Sequence, residues 1–191
     1  MGMLRSLLKE ARACRVCEAH LPLGPRPVFL VGARARLMIV GQAPGRSVHE
    51  TGVPWNDPSG DQLRTWLRMS RAQFYDTGRI AILPTGLCYP GSGSRGDLPP
   101  RPECAPLWQA RFRAALPGVR LTLLVGMHAQ AFHLGGRRKA TLAQTVRAWR
   151  EYLPEFFPLP HPSPRNRQWM KNNPWFAEEI VPALRRRVRA L

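Results

Sequence analysis

Apolar residues cluster in short strand-length runs that polar or Gly/Pro-rich segments separate. Leu37-Met38-Ile39-Val40, Arg79 to Leu83, Leu121 to Val125 and Phe156 to Leu159 show no polar alternation, the pattern of strands buried on both faces of a parallel sheet. Elsewhere apolar residues recur at helical spacing. This predicts helices over residues 3–13, from Ser59 through Gln62, Leu63, Trp66 and Leu67, and over Leu107 to Leu116, Ala129 to Leu134, Leu142 to Leu153 and Trp175 to Leu191. Gly41 to Pro58 reads as a loop. So does Pro84 to Glu103, whose five prolines and four glycines bar regular structure. Strands alternating with helices define an α/β class, and no internal repeat interrupts it. The expected architecture is a three-layer α/β/α sandwich with a central four-stranded, mostly parallel sheet, its site lying beyond the carboxyl ends of the strands. At 191 residues the chain fits a single domain over 1–191.

Charge narrows the partners. The net charge is +17, and only three of the 29 basic residues are lysine, so arginine supplies nearly all of a field suited to a polyanion. Nucleic acid fits this better than a membrane. No run of about 18 apolar residues occurs, and the N-terminus has no signal-peptide core, so a cytoplasmic, membrane-free monomer is expected. In that reducing compartment Cys14, Cys17, Cys88 and Cys104 read as metal ligands rather than disulfides. Four thiolates suit either a [4Fe–4S] cluster or structural zinc, and spacing does not separate them.

Two segments carry candidate chemistry. Gly41-Gln42-Ala43-Pro44-Gly45 follows a predicted strand, with glycines that permit close backbone approach and a proline that stiffens the turn. It reads equally as a binding loop or a structural turn, and it is not a dinucleotide fingerprint. His161-Pro162-Ser163-Pro164-Arg165-Asn166 follows the last predicted strand. Two prolines around a serine make a rigid segment able to press on a nucleic-acid backbone, and the imidazole can meet a developing anion. A lone histidine after a strand can also be structural.

Together these motifs resemble the uracil-DNA glycosylase superfamily, where loops of these types face each other across a base pocket. Residues 36–68 are similar to its iron–sulfur families 4 and 5, and the His161 to Asn166 stretch to the single-strand-selective enzymes. The arrangement Cys14-x2-Cys17, 70 intervening residues, then Cys88-x15-Cys104 is similar to the cluster layout of those families. The resemblance implies a [4Fe–4S] cluster in preference to zinc. It also implies a base pocket of Gly41, Gln42, Ala43, Trp55 and Thr85, with Trp55 stacking on an extruded base unless it is a core residue. His161 would stabilise the departing base, and Asp57 would act on water or instead cap the helix that follows it. Ser163, Pro164, Arg165 and Asn166 would hold DNA.

Departures from the family pattern matter as well. Gln42-Ala43 lacks the acidic residue of family 4, and Pro84 stands where that family has its base-reading asparagine. Uracil or another deaminated base is the expected substrate, with Thr85, Asn56, Gln42 or a backbone group reading it. No lysine lies in a motif, which disfavours a Schiff-base lyase. The expected function is therefore monofunctional hydrolysis of an N-glycosidic bond in damaged DNA. The alternatives are a non-catalytic nucleic-acid binder of the same fold and an iron–sulfur redox or sensor protein.

Overall fold

A computed structural model describes residues 2–94 and 96–191 of the chain. The buried apolar runs form strands β1 (Leu37–Val40), β2 (Ile80–Ile82), β5 (Leu121–Val125) and β6 (Phe156–Leu159). They make one sheet in the order β2-β1-β5-β6, with every neighbouring pair parallel. Leu37 stands opposite both Ile80 and Leu121, and Leu123 opposite Phe157.

Because side chains alternate across a strand, this sheet feeds two cores. Leu37, Ile39, Ile82, Leu123 and Phe157 pack with Leu63, Trp66 and Leu184 on one face. Met38, Val40, Ala81, Leu124 and Phe156 pack with Leu7, Trp108 and Phe112 on the other. Helices α3 (Pro58–Leu67), α7 (Leu142–Arg147) and α9 (Val181–Arg189) therefore cover the first face, and α1 (Gly2–Arg12), α5 (Cys104–Ala115) and α6 (Met127–Leu134) the second. The three-layer α/β/α reading holds. Among the described residues no helix is long and apolar enough to cross a membrane.

Local chemistry sets the helix ends. Asp57 caps α3 by accepting from the Gly60 N–H at 2.7 Å, with Pro58 in the first turn. Capping boxes start α7 at Thr141 and the short helix α4 (Arg71–Phe74) at Ser70.

Several expectations are corrected. The supposed loop from Gly41 to Pro58 contains α2 (Arg46–Thr51), which buries Val48 and His49 and ends at Gly52 in the left-handed conformation favouring glycine. The Pro84 to Glu103 segment is not wholly irregular: β3 (Ser92–Gly93) and β4 (Gly96–Asp97) pair as a minimal hairpin, and Asp97 accepts from the Ser92 hydroxyl at 2.7 Å. The single helix expected from Leu142 to Leu153 breaks at Ala148, continues as tight turns over Trp149–Tyr152, and stops before Pro154. The closing helix opens with a wide π turn over Phe176–Ile180, just ahead of Pro182, which lacks the N–H that a regular helix would use there. A further short helix, α8 (Arg167–Asn172), follows the His161 loop.

One half-buried residue ties stability to pH. His133 on α6 lies between the rings of Phe132 and Phe156, and its Nε2 has no partner. Burial, helped by Arg113, pushes its pKa down to about 4. An unfolded chain takes up the proton near 6.5, so the stabilisation is full above that value and is lost as pH falls from 6.5 towards 4. The expected result is that His133→Leu unfolds with a shallower loss of stability between pH 7 and 4.5 than the parent, read from urea midpoints. Equal slopes would show that His133 is protonated as easily in the fold as outside it.

Candidate active site

Strand order reverses between β1 and β5, so the crossovers on either side of that line leave a crevice beyond the carboxyl ends. A cavity of about 490 Å³ lies there. From β1 come Gly41 to Gly45, from the segment before α3 come Trp55 and Asp57, and from β6 come His161 and Ser163 to Asn166, all on its lining. Thr85 is the exception among the expected pocket residues. It is buried behind the wall, and its hydroxyl donates to the Gly41 carbonyl at 2.7 Å, which leaves it no proton for a base. Pro84 takes its place on the lining. Asn56 is likewise occupied, accepting from Arg71 at 3.0 Å.

The β1 loop is held from below. Thr85 N–H donates to the Gly41 carbonyl at 2.9 Å and Gly86 N–H to that of Gln42 at 2.8 Å. Gln42 Nε2 in turn donates to the Leu98 carbonyl at 3.0 Å, joining this loop to the β3–β4 hairpin. Gly41 meets a close-approach requirement: a Cβ there would come within 2.7 Å of the Trp55 ring.

Trp55 has φ +57°, a left-handed backbone that a bulky residue adopts only when its surroundings impose it. Arg64 donates to its carbonyl at 3.2 Å, Tyr75 to that of Pro54 at 2.8 Å, and Gly60 has no side chain where a Cβ would strike the Trp55 oxygen. The result is an indole half-buried on the cavity wall, tilted 30° to the His161 ring at a centroid distance of 5.6 Å. It lines the cavity and also packs against the core.

His161 is half-buried, and its backbone carbonyl accepts from Asn166 Nδ2 at 2.8 Å. Gly126, at the end of β5, leaves room for it: a Cβ there would stand 3.3 Å from the His161 Cβ. Desolvation pushes its pKa down to about 4, opposed by Asp97 and assisted by His128. At neutral pH it is an uncharged imidazole, able to donate one hydrogen bond. Burial raises the Asp57 pKa from its ordinary value, with the Gly60 N–H and Arg64 acting against it. Asp57 thus caps α3 and borders the cavity at once. Ser163 accepts from Arg165 N–H at 3.3 Å, fixing the turn that presents Pro164 and Arg165.

Asp97 on the hairpin also lines the cavity, and the sequence reading omits it. It sits in a Gly/Pro-rich stretch whose only local signal was irregularity.

The four cysteines meet on the far side of the same loop system. Cys14 and Cys17 follow α1, Cys88 follows β2 and Cys104 opens α5, and all four line one small cavity as free thiols. Among the described residues no group of three or more His, Cys, Asp or Glu side chains is drawn together tightly enough to hold one metal ion. The surroundings nevertheless suit sulfur ligation. Leu87 N–H donates to Cys104 Sγ at 3.2 Å, Arg26 N–H points at Cys88, and the buried indole N–H of Trp108, on the same cavity, has no partner. Burial pushes Cys88 up to about 11 and Cys104 to about 12, so without compensating positive charge both are neutral thiols.

The pocket, lined by a histidine and carboxylates, lies at the switch point of a parallel α/β sheet, where such folds bind ligands. The chain belongs to the uracil DNA glycosylase superfamily, whose family model matches residues 28–185. Among solved structures it is similar to a candidate uracil DNA glycosylase from Methanosarcina acetivorans, determined by solution NMR. The two are 16% identical, the match covers 84% of this chain and 98% of that one, and the TM-score is 0.48.

Proposed function

We propose that the chain is a monofunctional DNA glycosylase that hydrolyses the N-glycosidic bond of uracil or another deaminated base, with a structural [4Fe–4S] cluster on its four cysteines. One observation carries the reading: the two loops that leave β1 and β6 meet around a single cavity that also holds Trp55 and Asp57. That cavity has room for a base taken out of the stack.

The division of labour follows from the geometry. Arg165 and the Ser163-Pro164 turn press on the strand, and the arginine-rich surface holds phosphates. The extruded base lies against the Trp55 indole. As the C1′–N bond breaks, its electron pair leaves with the base, and the neutral His161 donates a hydrogen bond to that new anion. A water oxygen bonds to C1′ and passes one proton to Asp57, the carboxylate that borders the cavity beside α3. The released base takes a proton from solvent and Asp57 returns its own. No redox change occurs, so a cluster would act as a cross-link between the end of α1 and the 88–104 segment. Thiols spaced round a cavity, with N–H groups turned towards sulfur, support a cluster over a single zinc ion.

The base is read without an asparagine at position 84. Gln42 and Asn166 each donate one amide N–H to a carbonyl within the protein, which leaves each a second N–H and an amide oxygen, beside the β1-loop backbone, to read it. Such groups can pair with both the N–H and the carbonyl of a deaminated base. The test is a panel of single- and double-stranded oligonucleotides carrying uracil, hypoxanthine or xanthine, with base release followed over time. Release of at least one base is expected, with binding that weakens steeply as salt rises because phosphate contacts release counterions. Tight, salt-sensitive binding with no release from any of them would make the protein a binder of the same fold.

A further inference from the structure

We propose that Asp97, presented by the β3–β4 hairpin, is a second catalytic carboxylate, a fixed negative charge that stabilises the sugar cation as the base departs. This rests on the glycosylase reading and adds to it a residue and a division of roles.

Asp97 is aimed. Its Oδ1 accepts from the Ser92 hydroxyl at 2.7 Å, and Ser92 Oγ lies 2.7 Å from the hydroxyl of Tyr89, which is 5% exposed and packs against the ring of His49. With Ser92 donating to Asp97, Tyr89 is left to donate to Ser92. The carboxylate on an exposed hairpin is thus tied to a buried tyrosine. Its Oδ2 lies towards Gly45, where a Cβ would stand only 3.1 Å away. Leu98 N–H donates to the Gly91 carbonyl at 2.8 Å, and the Gln42 amide holds the Leu98 carbonyl at 3.0 Å, so the hairpin and the β1 loop are clamped together. Asp97 lines the same cavity as His161 and Asp57, and it is a charge that both of them sense.

Its charge argues for a role in the reaction rather than in binding. On a chain with 29 basic and 12 acidic residues, a carboxylate at the mouth of the DNA pocket repels the phosphates of the intact substrate. That penalty falls on the ground state. When the C1′–N electron pair leaves with the base, the sugar becomes positive, and a pre-aimed anion gains there what it cost before. Asp57 is less suited to hold a fixed charge, since it is half-buried on the cavity wall and burial opposes its charged form, whereas Asp97 stands exposed on the hairpin. Asp57 therefore takes the proton of the attacking water, while Asp97 forms no bond and exchanges no proton.

The experiment compares the parent protein with Asp97→Asn, which keeps the shape and the acceptor for Ser92 and removes only the charge. With enzyme in excess over the best oligonucleotide of the panel, the rate of base release should fall by ~100-fold. Affinity for undamaged duplex should stay the same or tighten. A merely structural role would weaken binding and lower the thermal midpoint together. Should Asp97→Asn fold poorly, Ser92→Ala keeps the charge and loosens its aim, and a rate loss of about tenfold with an unchanged thermal midpoint is expected. Parent activity with an undiminished rate in Asp97→Asn, or in Ser92→Ala where that variant stands in, overturns this proposal and leaves the glycosylase reading intact. A parent that releases no base overturns both.

Discussion

Replacing His161 by alanine should reduce single-turnover base release by at least ~100-fold while leaving affinity for undamaged DNA nearly unchanged. The physical ground is differential binding. The imidazole is neutral, because burial pushes its pKa down to about 4, so it contributes no attraction to phosphates and little to the ground state. Its N–H gains a strong acceptor only when the base acquires negative charge. Removing one donor of this kind typically costs ~3–4 kcal/mol of barrier, or two to three powers of ten. The position supports the magnitude. Gly126 leaves space for the side chain, Trp55 limits its tilt, and Asn166 holds its carbonyl, so it is aimed before substrate arrives. Enzyme in excess isolates the chemical step from product release. A variant as fast as the parent would move the catalytic donor elsewhere on the lining, with the β1-loop amides as the remaining source.

The second large effect is expected at the cysteines. Cys88→Ser should abolish the brown colour and broad absorption near ~400 nm expected of a thiolate-bound iron–sulfur cluster. It should also cost about 4 kcal/mol of stability, a fall in thermal midpoint of roughly 10 °C for a chain of this size. The comparison is sharp because the substitution is nearly isosteric. If Cys14, Cys17, Cys88 and Cys104 were only free thiols, exchanging one for a hydroxyl would cost about 1 kcal/mol. Anaerobic purification with iron and sulfide analysis reads the cofactor directly. Colourless parent protein carrying one zinc per chain would replace the cluster by a zinc site, and metal-free protein of undiminished stability would remove both. Loss of the cross-link also frees the 88–104 segment that carries the hairpin, so base release should slow in the same variant.

Much of this architecture was legible in the sequence because its signals were local and strong. The four sheet strands lie where continuous apolar runs are flanked by glycine or proline, and the pocket loops were marked by glycine and proline in one and by two prolines beside His161 in the other. The cysteines were legible as a set, and the fold brings all four to one small cavity. What escaped was small or non-local. The six residues of α2 carry little apolar signal beyond Val48. The hairpin depends on Ser92, Asp97 and the paired Gly93 and Gly96, in a segment where prolines suggested disorder of pattern. Thr85 was assigned to the lining by its place in the chain, whereas its hydroxyl serves the Gly41 carbonyl behind it. Asp97 reaches the pocket only because Gln42 grips the residue after it, a contact across 56 positions that no local pattern announces.

The burial of His161 has a consequence for proton traffic. A histidine of ordinary pKa beside a polyanion would take up a proton on binding, because the phosphates' field favours the imidazolium. It would then be drawn to the backbone as a counterion and lose its orientation towards the base. Here the desolvation that lowers its pKa to about 4 opposes that field. The ring stays neutral as DNA arrives, and the association step and the bond-breaking step are electrically decoupled. Salt should then govern how often the protein sits on DNA, and hardly at all how fast it acts once seated.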